Sequence, residues 1–304
     1  MKFTSSVILA GLVLAFPLVS HGKLNVIATT GDFGAIAREV GGDEVKVTVL
    51  ARPTEDPHFV DAKPSFLVQM SHADLLIEGG AELEAAWLSP LIDGSRNPKI
   101  QRGAPGHFMA NEGVQILEVP TALDRSQGDI HAAGNPHYLT DPVNAQIIAR
   151  NIAKKLCELD PRACQKFEKN EQSFNARIDA KLKEWDQKLA PYKGQHIASY
   201  HNSWPYFAKR FGFVLDLFLE PRPGIPPTPA HLAEVIAAMQ QEHVKVILCE
   251  PFLNRRTAEK VAADTGATVI DSSQFPGGIK GVKDDYISLI DHLVNAVAAA
   301  MSKP

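Results

Sequence analysis

Three histidines lie in short segments from which a ring could be presented in a fixed direction. His201 comes directly after the apolar-leaning run 196–200. The other two lie in stiff, proline-containing loops, Asp56-Pro57-His58 and Asn135-Pro136-His137. Neutral imidazole nitrogens bind divalent transition metals, so these residues predict a metal site if the fold brings the rings together.

Acidic residues in the second half of the chain can complete such a site. Glu250 and Asp271 each follow a strand-like run, and parallel α/β sheets bind their ligands outside the carboxyl ends of the strands. We predict that Asp271 is the fourth ligand. Three nitrogens and one oxygen suit zinc, whereas manganese usually takes more oxygen donors. Glu250 is interpreted either as a supporting or alternate ligand, or as a cap or ion-pair partner between the two halves.

His131 lies in the connection 120–136, which has mixed polarity. We interpret it as a solvated loop histidine. The alternatives are a transient metal collector beside the main site, or, as for Glu250, a supporting or alternate ligand.

Short apolar runs alternate with segments of helical spacing, and this alternation predicts the class of fold. The strand-like runs are 24–28, 45–50, 74–78 and 114–117 in the first half, and 197–200, 213–219, 244–249 and 268–270 in the second. Helical spacing predicts helices over 33–40, 66–71, 82–91 and 143–159, and then over 204–211, 230–241, 255–266 and 285–301. The pattern indicates an α/β protein with two lobes of parallel sheet flanked by helices.

A long helix is predicted between the two halves. Residues 162–189 contain no glycine or proline, and their apolar residues recur at helical spacing. About 28 residues at about 1.5 Å each give a rod of roughly 42 Å. We therefore predict an N-terminal lobe over 23–160, a connecting helix over 161–191 and a C-terminal lobe over 192–304.

The first 22 residues are typical of a secretory signal peptide. Lys2 provides the positive start, 6–19 is a short apolar run, and Ser20-His21-Gly22 places small residues before the preferred cleavage site. The apolar run is shorter than the about 20 residues that a membrane span needs. We expect cleavage after Gly22, no lipid anchor, no stable membrane insertion, and export to a periplasm.

Cysteine usage and charge agree with export of a globular protein. Cys157 and Cys164 flank Asp160-Pro161, and in an oxidising compartment they can form a disulfide; the alternative is two reduced, half-buried thiols. Cys249 lies in an apolar run and is predicted to be an inert core thiol. The net charge of −4 gives no sign of a nucleic-acid-binding surface.

Several motifs, in order along nearly the whole mature chain, resemble one family. They are the two His motifs given above, the pairs Pro64-Ser65 and Asp141-Pro142, and then Tyr200-His201-Asn202-Ser203-Trp204-Pro205-Tyr206-Phe207, Pro227-Thr228-Pro229, Glu250-Pro251 and Asp271-Ser272. The chain resembles the periplasmic metal-binding proteins of zinc and manganese ABC transporters, the cluster A-I solute-binding proteins.

The resemblance implies a metal in the cleft between two lobes, with His58, His137, His201 and Asp271 as its ligands. It implies a monomer that delivers Zn(II) to a membrane permease and is not an enzyme. In manganese-type members the third ligand is commonly glutamate, so His201 favours zinc. The chain departs from the family pattern in a short connection before the second His motif, which holds only His131, and in the segment after Asp271.

Other functions compete with zinc delivery. Mn(II) or Fe(II) is an alternative cargo in the same role. A zinc hydrolase would need an open coordination position and a carboxylate base, for which Glu250 is the candidate, but the sequence holds no His-Glu-x-x-His motif. A binder of a metal chelate would favour arginines and aromatic residues in the cleft.

Overall fold

The computed structural model of the chain describes residues 22–121 and 131–303. They form two α/β lobes, each built on a four-stranded parallel sheet. Apart from Gly22, the predicted signal peptide lies outside the described residues. In the part of the chain that is described, none of the helices is both long and apolar enough to cross a membrane.

The N-terminal sheet has the strand order β2-β1-β3-β4, and all neighbours are parallel. Its strands are β1 (Leu24–Ala28), β2 (Val45–Val49), β3 (Leu75–Glu78) and β4 (His107–Met109). Its helices are α1 (Gly31–Gly41), α2 (Pro64–Ser71), α3 (Leu88–Ser95) and α4 (Pro142–Leu159). Every residue of β3 is buried, as expected for a parallel strand covered on both faces.

The C-terminal sheet repeats this arrangement in the order β6-β5-β7-β8. Its strands are β5 (His196–Ser199), β6 (Val214–Phe218), β7 (Val246–Cys249) and β8 (Thr268–Asp271). Its helices are α6 (Pro205–Phe211), α7 (Pro229–Gln241), α8 (Arg255–Thr265) and α9 (Tyr286–Met301). The strand order reverses between β1 and β3 in the first sheet and between β5 and β7 in the second, and α/β sheets bind ligands at such a reversal.

The long helix predicted between the halves is α5 (Cys164–Leu189), whose 26 residues span about 39 Å. Its buried side chains join a hydrophobic core that includes residues of both sheets. In its N-terminal half, Asn170 Nδ2 donates to Val40 O of α1 at 3.0 Å. Near its other end, Trp185 Nε1 donates to Asp291 Oδ1 of α9 at 3.0 Å. The helix is therefore packed against both lobes along its length.

The disulfide predicted between Cys157 and Cys164 is present, and it joins the last turn of α4 to the first residue of α5. Cys249 is a buried free thiol, as predicted. Side chains cap two of the helices: Asp141 accepts from Val143 N at the start of α4, and Thr228 accepts from His231 N at the start of α7. The exact lobe boundaries at 160 and 191 stay predictions.

Two predicted elements were wrong. The run 114–117 is irregular, because the free edge of β3 is taken by β4, and the N–H of Leu117 instead donates to Tyr206 Oη at 2.8 Å. The predicted helix 82–91 begins only at Leu88. Glu82 lies at a positive φ of 65°, which a helix does not allow.

Replacing Phe174 by alanine should lower the free energy of unfolding by about 3–5 kcal/mol, because it empties a fully buried position where α5 enters the shared core. Denaturant unfolding of the metal-free protein measures this. Gln172→Ala on the exposed face of the same helix is the control. Equal stability of the two variants would contradict the role of α5 in the core.

Candidate metal centre

The first histidine, His58, lies in the loop after β2 and is held by its neighbours. Asp56 Oδ1 accepts from the backbone N–H of His58 at 3.0 Å and bonds ring atom Nδ1 at 2.8 Å. Trp87 Nε1 donates to Pro57 O at 2.9 Å. Among the described residues the other ring nitrogen, Nε2, is buried and has no hydrogen-bond partner. The loop therefore directs Nε2 into the interior as a free donor atom.

The second histidine, His137, is 4% exposed and precedes a short 3-10 turn, Tyr138–Thr140. Its backbone N–H donates to Asn135 Oδ1 at 3.0 Å. Tyr138 Oη donates to Gly79 O at 2.6 Å, which anchors the turn to the first lobe. The Gln274 side chain, from the second lobe, lies close enough to the His137 ring to raise its pKa slightly against the effect of burial. Residues of both lobes thus surround this ring.

The third histidine, His201, follows β5. Ser199 Oγ donates to its carbonyl oxygen at 2.7 Å. Glu220, which follows β6, places Oε2 2.7 Å from ring atom Nδ1. Metal-binding histidines usually donate their second ring N–H to such a carboxylate or carbonyl, which fixes the tautomer and orients the ring. His58 and His201 share this arrangement, so Nε2 is the atom that each offers to a metal.

The structure brings the three predicted rings together between the lobes. Their centroids are 5.2 Å apart for His58 and His137, 5.7 Å for His58 and His201, and 5.6 Å for His137 and His201. One ring nitrogen from each lies within 4.8 Å of the other two. Nitrogens bound at about 2.1 Å to a tetrahedral zinc ion would be about 3.4 Å apart. A small contraction therefore closes the cluster on an ion.

The cavity that these rings line has a volume of about 30 Å³. That is the space of about one water molecule. Asp56 and Glu220 also line it, and Phe59, Phe252 and Leu253 supply apolar walls. The space suits a single ion.

The pKa values of the rings are shifted in different directions. Burial, followed by the charges of His58 and His201, holds the pKa of His137 well below its ordinary value. Burial also acts on His201, but the hydrogen bond and charge of Glu220 outweigh it and raise the pKa of that ring. His137 is therefore neutral and ready to bind a metal, whereas at His201 a metal displaces a proton more often.

The structure does not bring Asp271 to this cluster. Asp271 is the last residue of β8, its side chain is 62% exposed, and its Oδ1 pairs with Arg255 Nη1. Within the described residues, the set of nitrogens around the cavity contains His58, His137 and His201 without Asp271. Arg255 starts α8 and carries a permanent charge, which explains why the carboxylate faces it.

Glu250 is buried behind the cluster. Trp204 Nε1 donates to Glu250 Oε1 at 3.0 Å, while Oε2 has no hydrogen-bond partner among the described residues. Burial raises the pKa of this carboxyl to about 7. Its nearby charge contributes to the raised pKa of His201. Glu250 thus influences the protonation of His201 through its negative charge.

His131 is partly buried and is in contact with the cluster. Its ring stacks on His58 with a centroid distance of 5.1 Å and an interplanar angle of 28°. Burial, followed by the charges of His58 and His201, lowers the pKa of His131 to about 4. The structure therefore places a further neutral imidazole beside the three predicted ligands.

Two carboxylates that sequence reasoning missed organise the site. Glu220 follows strand β6, so the rule that selected Glu250 and Asp271 could have found it. Glu118 Oε2 accepts from Asn135 Nδ2 at 2.9 Å and from Asn202 Nδ2 at 2.8 Å. Those asparagines lie in the loops of His137 and His201, so Glu118 ties together ligand loops from opposite lobes.

Further contacts between the lobes surround His137. Tyr206 Oη donates to Asn135 O at 2.7 Å, and Tyr286 Oη donates to Leu139 O at 2.6 Å. The Arg210 guanidinium binds both carboxylate oxygens of Asp141, at 2.7 and 2.8 Å. Bidentate pairs of this kind are among the stronger and more specific hydrogen bonds in proteins. The segment that carries His137 is therefore attached to both lobes.

The fold and the site together define a two-lobed metal-binding protein. A family model described as the periplasmic component A of a zinc-uptake complex matches residues 26–300, and the chain belongs to this family. It is therefore the metal-binding component of an ABC transporter that works with a membrane permease, and it is not an enzyme.

The names of individual relatives mention different metals. The manganese ABC transporter substrate-binding lipoprotein PsaA of Streptococcus anginosus is 25% identical over 293 residues, which cover 93% of this chain and 91% of the relative. The iron-binding protein YfeA of Yersinia pestis is 27% identical over 308 residues, covering 97% and 92%. These similarities leave the metal of this chain open.

Solved structures confirm the fold. A crystal structure of ZnuA has a TM-score of 0.77 at 24% identity and covers 92% of this chain and 100% of that chain. A Mn-bound periplasmic metal-binding protein from Candidatus Liberibacter asiaticus has a TM-score of 0.75 at 22% identity, covering 91% and 99%. The two lobes and their long connecting helix are thus shared with known metal-binding proteins.

Replacing Glu220 by glutamine should weaken zinc binding about 10–100-fold at pH 8, because His201 loses the carboxylate that fixes its tautomer and raises its basicity. Isothermal titration calorimetry of the metal-stripped protein measures this. Asp216→Asn is the matched control, since Asp216 lies on strand β6, shortly before Glu220, and pairs with His196 Nδ1 of β5 outside the site. If both variants bound zinc like the unaltered protein, Glu220 would have no such role.

Proposed function

We propose that this chain captures Zn(II) in the periplasm and passes it to the membrane permease of its transporter. His58, His137 and His201 are the protein ligands in this proposal. The observation that carries it is the meeting of three imidazoles around a cavity that suits one ion, with two of the rings backed by carboxylates.

The donor atoms favour zinc over the alternative cargoes Mn(II) and Fe(II). Imidazole nitrogen suits zinc, while manganese prefers carboxylate, carbonyl and water oxygens. The carboxylates of Asp56 and Glu220 are hydrogen-bonded to Nδ1 of His58 and His201. The negative charges of these two carboxylates still partly balance the positive charge of a bound dication, although the rings lie between them and the ion. The manganese and iron named for the relatives remain the competing cargoes for this chain.

The disulfide and the family support export to an oxidising compartment. Delivery to a permease needs binding and release without chemistry, which a site of this kind can perform as a monomer. The three imidazoles, which bind a bare ion directly, also argue against the chelate alternative.

Asp271, the fourth ligand expected from the sequence, can complete the shell only if its carboxylate leaves Arg255. Glu250 would likewise have to leave Trp204 and its buried position. The three histidines therefore form the part of the proposed site that needs the least rearrangement.

Each of His58→Ala, His137→Ala and His201→Ala should lower zinc affinity at least roughly 100-fold, because each removes one of few donor atoms from the shell. Calorimetry of the metal-stripped protein should give one Zn(II) per chain for the unaltered protein. His196→Ala, outside the cluster, is the control. Zinc affinity that survived in all three variants would refute the proposed site, and tighter binding of Mn(II) than of Zn(II) would refute the cargo.

Zinc affinity should fall as the pH drops, because a bound imidazole must be neutral. The pKa of His201 is raised, so the decline should begin above pH ~6.5, the ordinary histidine value. The pKa of His137 is lowered, so this ring takes up no proton in that range. Zinc affinity should therefore fall less steeply with pH than it would if three protons competed with the metal. Glu220→Gln removes a cause of the raised pKa and should move the decline to lower pH. Competition with a zinc indicator from pH 8 to 5 measures the profile, and a flat profile would contradict a histidine shell.

A further inference from the structure

His131 lies directly against one ring of the cluster, that of His58. Its centroid lies 5.1 Å from that of His58, close to the 5.2–5.7 Å that separate the three rings of the cluster from one another. It also lines, with His137 and His201, a second cavity of about 280 Å³ that lies beside Glu118 and Asn202. His131 thus faces the cluster from outside the small central cavity.

The backbone around His131 is built into the fold. The N–H of Ala132 donates to a carboxylate oxygen of Glu82, and Gly134 N donates to His131 O at 3.0 Å. Gly134 has a φ of +93°, and a Cβ there would lie 2.5 Å from Ile116 Cγ2. Glycine is therefore required for this turn. The turn delivers His131 to the cluster in a defined place.

The shell of the proposed site lacks a fourth protein ligand. Zinc sites without catalysis are almost always four-coordinate and closed. Within the described residues, three nitrogens meet, and the acid predicted for the fourth position faces Arg255. Moving Asp271 into the shell would break an ion pair, whereas the His131 ring already contacts His58.

We propose that His131 is the fourth ligand of the bound ion, which gives a shell of four imidazole nitrogens. This inference rests on the proposed function, since it completes the same site. The ring closes onto the ion by a shift toward the other three, because its nitrogens are not yet within their 4.8 Å group. An all-nitrogen shell leaves no oxygen donor for Mn(II) and no open position for water, so it holds zinc without activating it.

The surroundings of the ring fit this role. His131 contacts His58, and the cavities that it lines are also bordered by the acidic residues Glu82 and Glu118. An imidazole in this place would add a donor atom without adding to the positive charge of the loaded site.

X-ray absorption at the zinc edge tests the proposal, since outer-shell scattering counts the imidazoles around the metal. The zinc-loaded full-length mature protein should show four imidazoles, and His131→Ala should show three. Zinc affinity of His131→Ala should fall at least roughly tenfold, as even residues behind a ligand contribute that much. Asp271→Ala should keep four imidazoles and unchanged affinity, and His72→Ala, at an exposed position, is the control.

Three imidazoles and an oxygen in the unaltered protein, with affinity lost in Asp271→Ala, would overturn the role of His131. A slower zinc uptake by His131→Ala, with unchanged affinity and imidazole count, would make it a transient collector and would also overturn the proposal. The thermal midpoint of each metal-free variant checks that it folds. Failure of the proposed function would look different, because the unaltered protein would then bind no zinc and give no zinc-edge signal.

Discussion

Three imidazole rings within 6 Å of one another are the constraint on which the rest of this structure depends. If the rings were charged they would repel, and burial makes that charge costly, so the cluster is stable only with neutral rings or around a shared cation. Asp56 and Glu220 meet this constraint from behind by holding Nδ1 of two rings. Because Nδ1 is held by these contacts, Nε2 of both rings faces the interior, where it can bind a dication.

Rings that come from two lobes can meet only if the lobes keep a fixed position relative to each other. The long helix α5 does this at a distance through a core common to both sheets. Close to the site, Glu118 ties the loops of His137 and His201, and Arg210 ties Asp141 to the second lobe. A wide opening of the cleft would break all of these hydrogen bonds. Release of the ion is therefore expected to involve small movements of the ligand loops.

The features that could be predicted from the sequence are those set by local rules. The proline-containing loops predicted that His58 and His137 are candidate ligands. The long run without glycine or proline, with apolar residues at helical spacing, predicted the long helix. The sequence could not show contacts between residues that are distant in the chain. Nothing near Asp271 showed that Arg255 would face its carboxylate, and the apolar run 114–117 gave no sign that His107–Met109 would pair with β3 first. The contact of His131 with His58 spans 73 positions and depends on the fold of the whole lobe.

The most direct test of the central claim is anomalous scattering at the zinc edge from crystals of the protein grown with Zn(II). We expect one strong peak between the lobes, at bonding distance from Nε2 of His58 and His201 and from a ring nitrogen of His137. A peak elsewhere, or no peak in the cleft of a fully loaded protein, would contradict the claim that these histidines form the metal site.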